Sequence, residues 1–331
     1  MNIDKLKKIG VSALAGSLVA FSAHAADWSL SGGASLQVDQ VDEDTASTWA
    51  QGDSIKIQAS GTTESGIDVA VMYELDGGAN ASTTGSAWDD HYLSLGTEAL
   101  GTLRFWGHGG SSVMSQFDDI SPKAYEEISD IGTINTVSAD NVIGGIGENS
   151  MFEYTSPSFS GVTFKAAYNT ASADTATGGY NKYSDMGVMI QPEMVEGLTL
   201  YYAAGEKEIT ANTDTDVSTM AVKYAYGPVT VSYQESESDV SGSTNDDEVE
   251  QVGISYTVND NLTVSWGTRE YDNNTASNSG SGNLTQEDTG VAVSYTMGGV
   301  SISAQRNDHE NVGGTEANDG ESTSIGISFA F

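Results

Sequence analysis

Seven carboxylates gathered in one segment carry the clearest chemical signal in the chain. Asp118, Asp119, Glu126, Glu127, Asp130, Asp140 and Glu148 all fall within 108–149, where Lys123 is the lone lysine or arginine. So many like charges with one counter-charge do not make an acid–base pair for proton transfer. They make a fixed negative surface, whose work is to bias the movement of ions and polar solutes. Six bases lie elsewhere, inside stretches of alternating hydrophobicity: Lys56, Arg104, Lys165, Lys223, Arg269 and Arg306. Catalytic patterns are absent from the sequence. There is no cysteine, no phosphate-binding glycine loop and no Gly-x-Ser-x-Gly turn. His91, His108 and His309 show no ligand spacing, so no metal set is assigned from them and no cofactor is expected. The acid groups Asp39/Asp42/Asp44, Asp246/Asp247/Glu248 and Asp319/Glu321 suggest weak Ca²⁺ or Mg²⁺ binding in external loops, although none completes an EF-hand spacing.

A formal charge of −35 over 331 residues removes nucleic acid as a partner, since phosphate binding needs clustered Lys and Arg. The first residues set the compartment. Lys5, Lys7 and Lys8 precede an apolar run from Ile9 to Phe21, and Ala23-His24-Ala25 follows, so 1–25 reads as a cleaved signal peptide and 26–331 as the exported protein. Its 46 acids and 9 bases leave a net charge of −37.

The elements that must position the charges have an apolar period of two. Ile67 to Tyr73, Val229 to Tyr233 and Ile325 to Phe331 alternate cleanly. Such runs predict sixteen strands: 27–38, 53–61, 67–75, 91–96, 102–107, 150–155, 162–169, 183–190, 198–205, 217–226, 229–234, 249–257, 262–269, 289–296, 300–307 and 322–331. Their connections alternate short and long. An even-numbered meander with all tight turns at one end is the pattern of a transmembrane antiparallel up-and-down β-barrel, with short periplasmic turns and long external loops. Sixteen strands enclose too wide a space for side chains to fill. The polar face of each strand therefore turns to a wet lumen, and the apolar face to lipid.

That assignment places Leu198, Leu200, Tyr202 and Ala204 outside, with Thr199, Tyr201 and Ala203 inside. It turns Lys56, Arg104, Lys165, Lys223 and Arg269 toward the lumen as pore-wall bases. Arg306 alone breaks the parity, which suggests a lipopolysaccharide phosphate, a neighbouring subunit, a bulge or a snorkelling side chain. Trp28, Tyr226, Tyr256 and Tyr295 fall near short turns, and Tyr73, Tyr168, Tyr202 and Tyr233 near long loops, as two aromatic girdles. The long connections hold 34 of the 46 acids after residue 25, which marks one end as an acidic mouth. Segment 108–149 also carries Phe117, Ile120, Tyr125, Ile128, Ile131, Ile134 and Val137, too apolar for a free coil. It reads as an insert folded against the lumen wall, its acids facing Lys56 and Arg104 across a narrowing.

Ser60-Gly61-Thr62-Thr63-Glu64-Ser65-Gly66-Ile67, Leu93-Ser94-Leu95-Gly96, Leu100-Gly101-Thr102-Leu103, Phe152-Glu153-Tyr154-Thr155-Ser156 and the final Phe331 give the chain a family likeness. It resembles Gram-negative general diffusion porins, nearest to the alphaproteobacterial sixteen-stranded type. The resemblance implies a homotrimer in the outer membrane, in contact with its lipid and lipopolysaccharide, with the third external loop forming the constriction. It also implies that Ile325, Ile327, Phe329 and Phe331 present the insertion signal to the barrel-assembly machinery. Small hydrophilic solutes would pass by diffusion. The thin set of wall bases points to cation preference. Small outward residues Gly32, Ala34 and Ala59 suggest the subunit contact. The alternatives are a substrate-specific channel, with Tyr92, Trp106, Tyr183 and Tyr201 stacking on sugar rings, or a secreted acidic Ca-binding β-rich adhesin.

Overall fold

Period-two alternation over sixteen runs requires a sheet with one apolar face, and a sheet that long must close or leave two unpaired edges. In the computed structural model it closes. Residues 26–41, 46–76, 88–118, 120–128, 133–134, 137–138, 143, 145, 147–170, 182–210, 213–242, 246–273 and 284–331 are described. The expected signal segment 1–25 lies outside them. The strands are β1 (Asp27–Val41), β2 (Thr48–Thr62), β3 (Asp68–Asp76), β4 (His91–Thr97), β5 (Gly101–His108), β6 (Met151–Thr155), β7 (Val162–Thr170) and β8 (Lys182–Ile190). They continue as β9 (Leu198–Thr210), β10 (Thr213–Tyr226), β11 (Val229–Val240), β12 (Asp246–Asn259), β13 (Leu262–Asn273), β14 (Gln286–Met297), β15 (Val300–Glu310) and β16 (Gly320–Ala330). Each pairs antiparallel with the next in chain order, and β1 pairs with β16 to close the barrel.

The seam is tight. Gly32 N donates to Phe331 O and Phe331 N to Gly32 O, both at 3.0 Å. A Cβ on Gly32 would meet the Phe331 ring at 2.9 Å. The space that Gly32 leaves is therefore filled by the chain's own C-terminus, rather than being kept open for a neighbouring subunit. Tight turns join β2 to β3, β4 to β5, β10 to β11 and β14 to β15. In the last of these Gly298 (φ 62°) and Gly299 (φ 84°) both take positive φ, as a two-residue turn matched to strand twist requires.

All sixteen expected strands are present, but several are longer than the apolar period suggests. β9, β10, β11, β12 and β13 run on through 206–210, 213–216, 235–240, 246–248 and 270–273. Alternation of apolar and polar residues reports where lipid touches the sheet, whereas the hydrogen-bond ladder needs no lipid. Beyond the apolar band the outward positions turn polar while the ladder continues, so much of the acid expected in loops sits on strands. Outward residues such as Leu200, Tyr202, Met220, Ile254, Val291 and Ile325 are exposed along the wall. All eight aromatics of the two expected girdles are exposed as well.

The buried apolar cluster is not central. It lies between the inner wall and the segment that enters the lumen after β5. Val113, Met114 and Phe117 pack there with Met151, Ala167, Tyr183, Ala203, Val217, Val249 and Tyr271. Val113, Met114 and Phe117 belong to a short helix α1 (Val113–Phe117), whose N-cap Ser112 accepts from Ser115 N.

Candidate functional site

The long insert between β5 and β6 is fastened to the inside of the wall, strand by strand. At its start Asp185 of β8 accepts from Met114 N at 2.8 Å, while also holding Ala167 N at 3.2 Å and the Tyr183 hydroxyl at 3.0 Å. Phe117 packs edge-on against Tyr201 of β9 at 5.1 Å. Gln234 of β11 accepts from Ile120 N at 3.1 Å and donates to Phe117 O and to Thr219 Oγ1. Ser121 donates to Gln251 of β12, and Ala124 N to Ser265 of β13 at 2.8 Å. Gln305 of β15 accepts from Glu126 N and donates to Glu127 O, while Asn307 donates to Ile128 O at 2.9 Å. The segment thus crosses the wall from β7 to β16. Burial pushes the Tyr125 phenol above its ordinary range, so the hydroxyl stays protonated.

A trough of inward glycines makes room for it. A Cβ on Gly187 would meet Val113, on Gly253 Pro122, on Gly267 Ile128, and on Gly326 the Tyr125 hydroxyl. Glycine inside a strand commonly marks close approach by another backbone. Here four strands share that function.

The lumen not taken by the insert is bounded by β2 to β6. There Lys56 pairs with buried Glu74 at 3.0 Å across adjacent strands. Arg104 pairs with Glu153 at 3.4 Å and lies over the Tyr92 ring at 4.4 Å and the Trp106 ring at 5.2 Å. Glu153 is a hub: it also accepts from Trp106 Nε1 at 2.9 Å and from Gln116 of α1 at 3.1 Å. Lys165 of β7 donates to the same Gln116. Arg269 is almost fully buried beside Asp288, at 3.4 Å. Lys223 shares the lumen parity of Thr219 and Ala221, both buried. All five expected wall bases thus face inward, and three of them are matched by wall acids.

The seven acids of the insert divide differently. Asp118 ends α1, Glu126 lies on the wall at β15, and Glu127 pairs with Lys123. The backbone of Glu148 pairs with Gly110 near the root of the insert. Asp119, Asp130 and Asp140, and the side chain of Glu148, lie outside what is described. Sequence reasoning missed Glu74, Glu153, Asp185 and Gln234. Their signal was a polar residue at inward parity inside an otherwise apolar or small-residue strand. Of the aromatics suggested as a sugar track, Tyr183 and Tyr201 are used to hold the insert, which leaves Tyr92 and Trp106 together in the lumen, ring centroids 4.9 Å apart.

The fold gives the histidines partners that are distant in the sequence. His309 Nδ1 lies 2.7 Å from Asp288 Oδ1, and its Nε2 lies 2.9 Å from Ser322 Oγ. The order serine–histidine–aspartate is that of a hydrolase triad. Ser322 is buried, however, and the turn at Val312–Gly314 closes this end, with Gly313 N donating to Gln286 beside Asp288. The three side chains form a buried hydrogen-bonded chain between β14, β15 and β16. His108 meets Asp89 and Asp90 at the foot of the insert.

On the outside, Arg306 has the parity that sequence gives it, in a ladder of continuous register, and pairs with Glu321 on β16. No bulge is needed. Five glutamates stand directly opposite one another across β11 to β15: Glu235, Glu250, Glu270, Glu287 and Glu310. Ile325, Phe329 and Phe331 are exposed on the outer face of the last strand.

A family model described as Gram-negative porin matches residues 10–283. No curated protein sequence matches at a significant level. Among solved structures, an anion-selective porin from Comamonas acidovorans is similar with a TM-score of 0.68 and 14% identity, covering 92% of this chain and 100% of that one. The trimer form of OmpT, an outer membrane protein of Vibrio cholerae, aligns with a TM-score of 0.65 and 14% identity over 93% of this chain and 100% of its own. A mutant of the Rh. blastica porin gives 0.64 and 14% over 92% and 100%. At such identities these structures share the fold alone.

Proposed function

The chain belongs to the Gram-negative porin family and forms an outer-membrane β-barrel channel, and from that premise we propose that it passes small hydrophilic solutes by diffusion with a preference for cations. The observation that carries the preference is the state of the wall bases. Lys56, Arg104 and Arg269 each face a wall carboxylate within ion-pair distance, so their positive charge is answered locally. The remaining acids then set the sign of the potential along the path, in a protein carrying −37 after residue 25. The insert supplies the sieve, because its backbone is pinned to the wall and leaves the passage beside β2 to β6. That the Comamonas structure is of an anion-selective porin does not carry over, since wall charges are set by individual side chains.

Reversal potentials across planar bilayers under a KCl gradient test the reading. Potassium should be favoured over chloride, and anion preference would overturn it. Saturable block by one sugar, with Tyr92 and Trp106 required, would favour the substrate-specific channel instead. The secreted adhesin is set aside by the closed barrel with its apolar outer face and by the family match.

We also propose a homotrimer seated in lipopolysaccharide-rich lipid. Its support is the small outward surface at Ala34 and Ala59 beside the short strands β4 to β6. The alternating apolar face of Ile325, Ile327, Phe329 and Phe331 suits recognition by the assembly machinery. Weak Ca²⁺ or Mg²⁺ association with the external acids fits the opposed glutamate row. Cross-linking in native membranes should trap three chains, and a monomer alone would remove the trimer.

A further inference from the structure

Asp89, Asp90 and His108 each place one potential ligand atom within 4.8 Å of the other two. The two aspartates precede β4, and His108 ends β5, where the inserted segment leaves the wall. His108 Nδ1 and Asp90 Oδ1 are 3.4 Å apart. A charge-assisted N–H···O bond is shorter, about 2.7–2.9 Å. The 3.4 Å contact is a long direct hydrogen bond between the two side chains, and the same separation also suits two ligands of one ion bonded at about 2.1 Å to nitrogen and oxygen.

The supports are built in the backbone. Glu74 N donates to Asp90 O at 2.8 Å, and Asp89 N donates to Glu74 O at 2.9 Å, so both aspartates are pinned to β3. Gly109 has φ of 72°, and a Cβ there would overlap the Asp90 carboxylate. A register shift between His91 and Tyr92 sets His91 directly opposite His108. The His91 ring stacks on Tyr73 at 6.2 Å, and its buried Nδ1 has no hydrogen-bond partner among the described residues.

We propose that Asp89, Asp90 and His108 form a divalent-metal site of the zinc type, tying the start of β4 to the root of the inserted segment. One imidazole with two carboxylates selects a borderline ion such as Zn²⁺. Mg²⁺ and Ca²⁺ prefer six or more oxygens, which this group does not offer. Asp89 is exposed, which leaves water access to a fourth position. The bound ion fixes the point from which the insert enters the lumen.

The full-length protein, purified in detergent and stripped with a chelator, is titrated with Zn²⁺ in millimolar Mg²⁺, which occupies the all-oxygen acid groups. One Zn²⁺ per chain is expected, with affinity falling by about tenfold or more in Asp90→Asn and His108→Gln. Glu316→Gln, far along the chain, should bind as the parent does. Co²⁺ in place of Zn²⁺ should give visible absorption bands that His108→Gln abolishes. Heat-modifiable migration shows that each variant is folded; should His108→Gln fail to fold, Asp89→Asn with Asp90→Asn carries the same comparison. A parent that holds no Zn²⁺ under excess Mg²⁺, or a folded ligand variant that binds like the parent, overturns the site. Either result leaves conductance untouched, so failure here is separate from failure of the channel reading.

Discussion

Replacing Gln234 by leucine should release the inserted segment from the wall without unfolding the barrel. Gln234 is fully buried, accepts from Ile120 N and donates to Phe117 O, so the side chain satisfies two backbone groups on either side of the end of α1. Leucine keeps much of the volume and offers neither partner. Orphaning one buried polar group costs about 1–3 kcal/mol. Two groups give about 2–4 kcal/mol, allowing for partial rescue by lumen water. At 1.4 kcal/mol per tenfold, the detached population rises by about 30-fold to several hundred-fold. The barrel ladder does not use this side chain, so heat-modifiable migration should be unchanged. Single-channel recording is the assay: Gln234→Leu should show added transitions between conductance levels that the parent lacks. Leucine traces identical to the parent, in a protein of unchanged heat-modifiability, would refute the claim that wall amides hold the constriction.

Three further outcomes follow from the side chains. Glu270 faces Glu250 and Glu287 across the ladder, so Glu270→Gln should raise stability in urea by about 0.2–1 kcal/mol at low salt, and the gain should shrink as salt screens the parent. Arg269→Ala leaves Asp288 buried with its ion pair broken, and should lower unfolding stability by about 3–5 kcal/mol; Arg269→Met with Asp288→Asn should recover most of it, measured by the same urea titration. Gly32→Val would drive its side chain into Ser54 O and the Phe331 ring at the closing seam, so heat-modifiable barrel should be recovered in much lower yield on refolding, while Ala34→Val, which lacks that clash, should refold normally.

Much of the barrel was legible because lipid writes a rule into every strand. A residue two places on faces the same solvent, so Leu198, Leu200 and Tyr202 declare their side by spacing alone. The rule lapses where lipid ends, and β11 therefore continues past Tyr233 through Glu235 and Glu237 with no apolar partner to reveal it. It also says nothing about what lies against the wet face. Gln234, Gln251, Gln305 and Asn307 look like ordinary lumen residues in one dimension. Only the path of the insert shows them to be its anchors. The inward glycines at 187, 253, 267 and 326 were the available clue, since strand-interior glycine is costly unless something must come close. Sites assembled across strands escape altogether: Asp90 and His108 are joined by register and a bulge, not by spacing.

The opposed glutamates show why charge has to be read by position rather than by total. Across β11 to β15 the ladder sets carboxylate against carboxylate, an arrangement that destabilises a sheet by about 0.2–1 kcal/mol for each contact. An open sheet could relieve the repulsion by fraying at that end. A closed one cannot, because each strand is held by two neighbours, and so the barrel tolerates a negative rim. On the lumen side the same chain does the opposite, setting Lys56 against Glu74 and Arg104 against Glu153 so that charge cancels at the wall. Opposed negative charge is thus gathered on the outer face at that end, where, under the proposed function, it would raise the local concentration of cations. At those two pairs the wall charge is cancelled, whereas a strong unpaired charge of either sign beside the passage would hold an ion too long for it to leave.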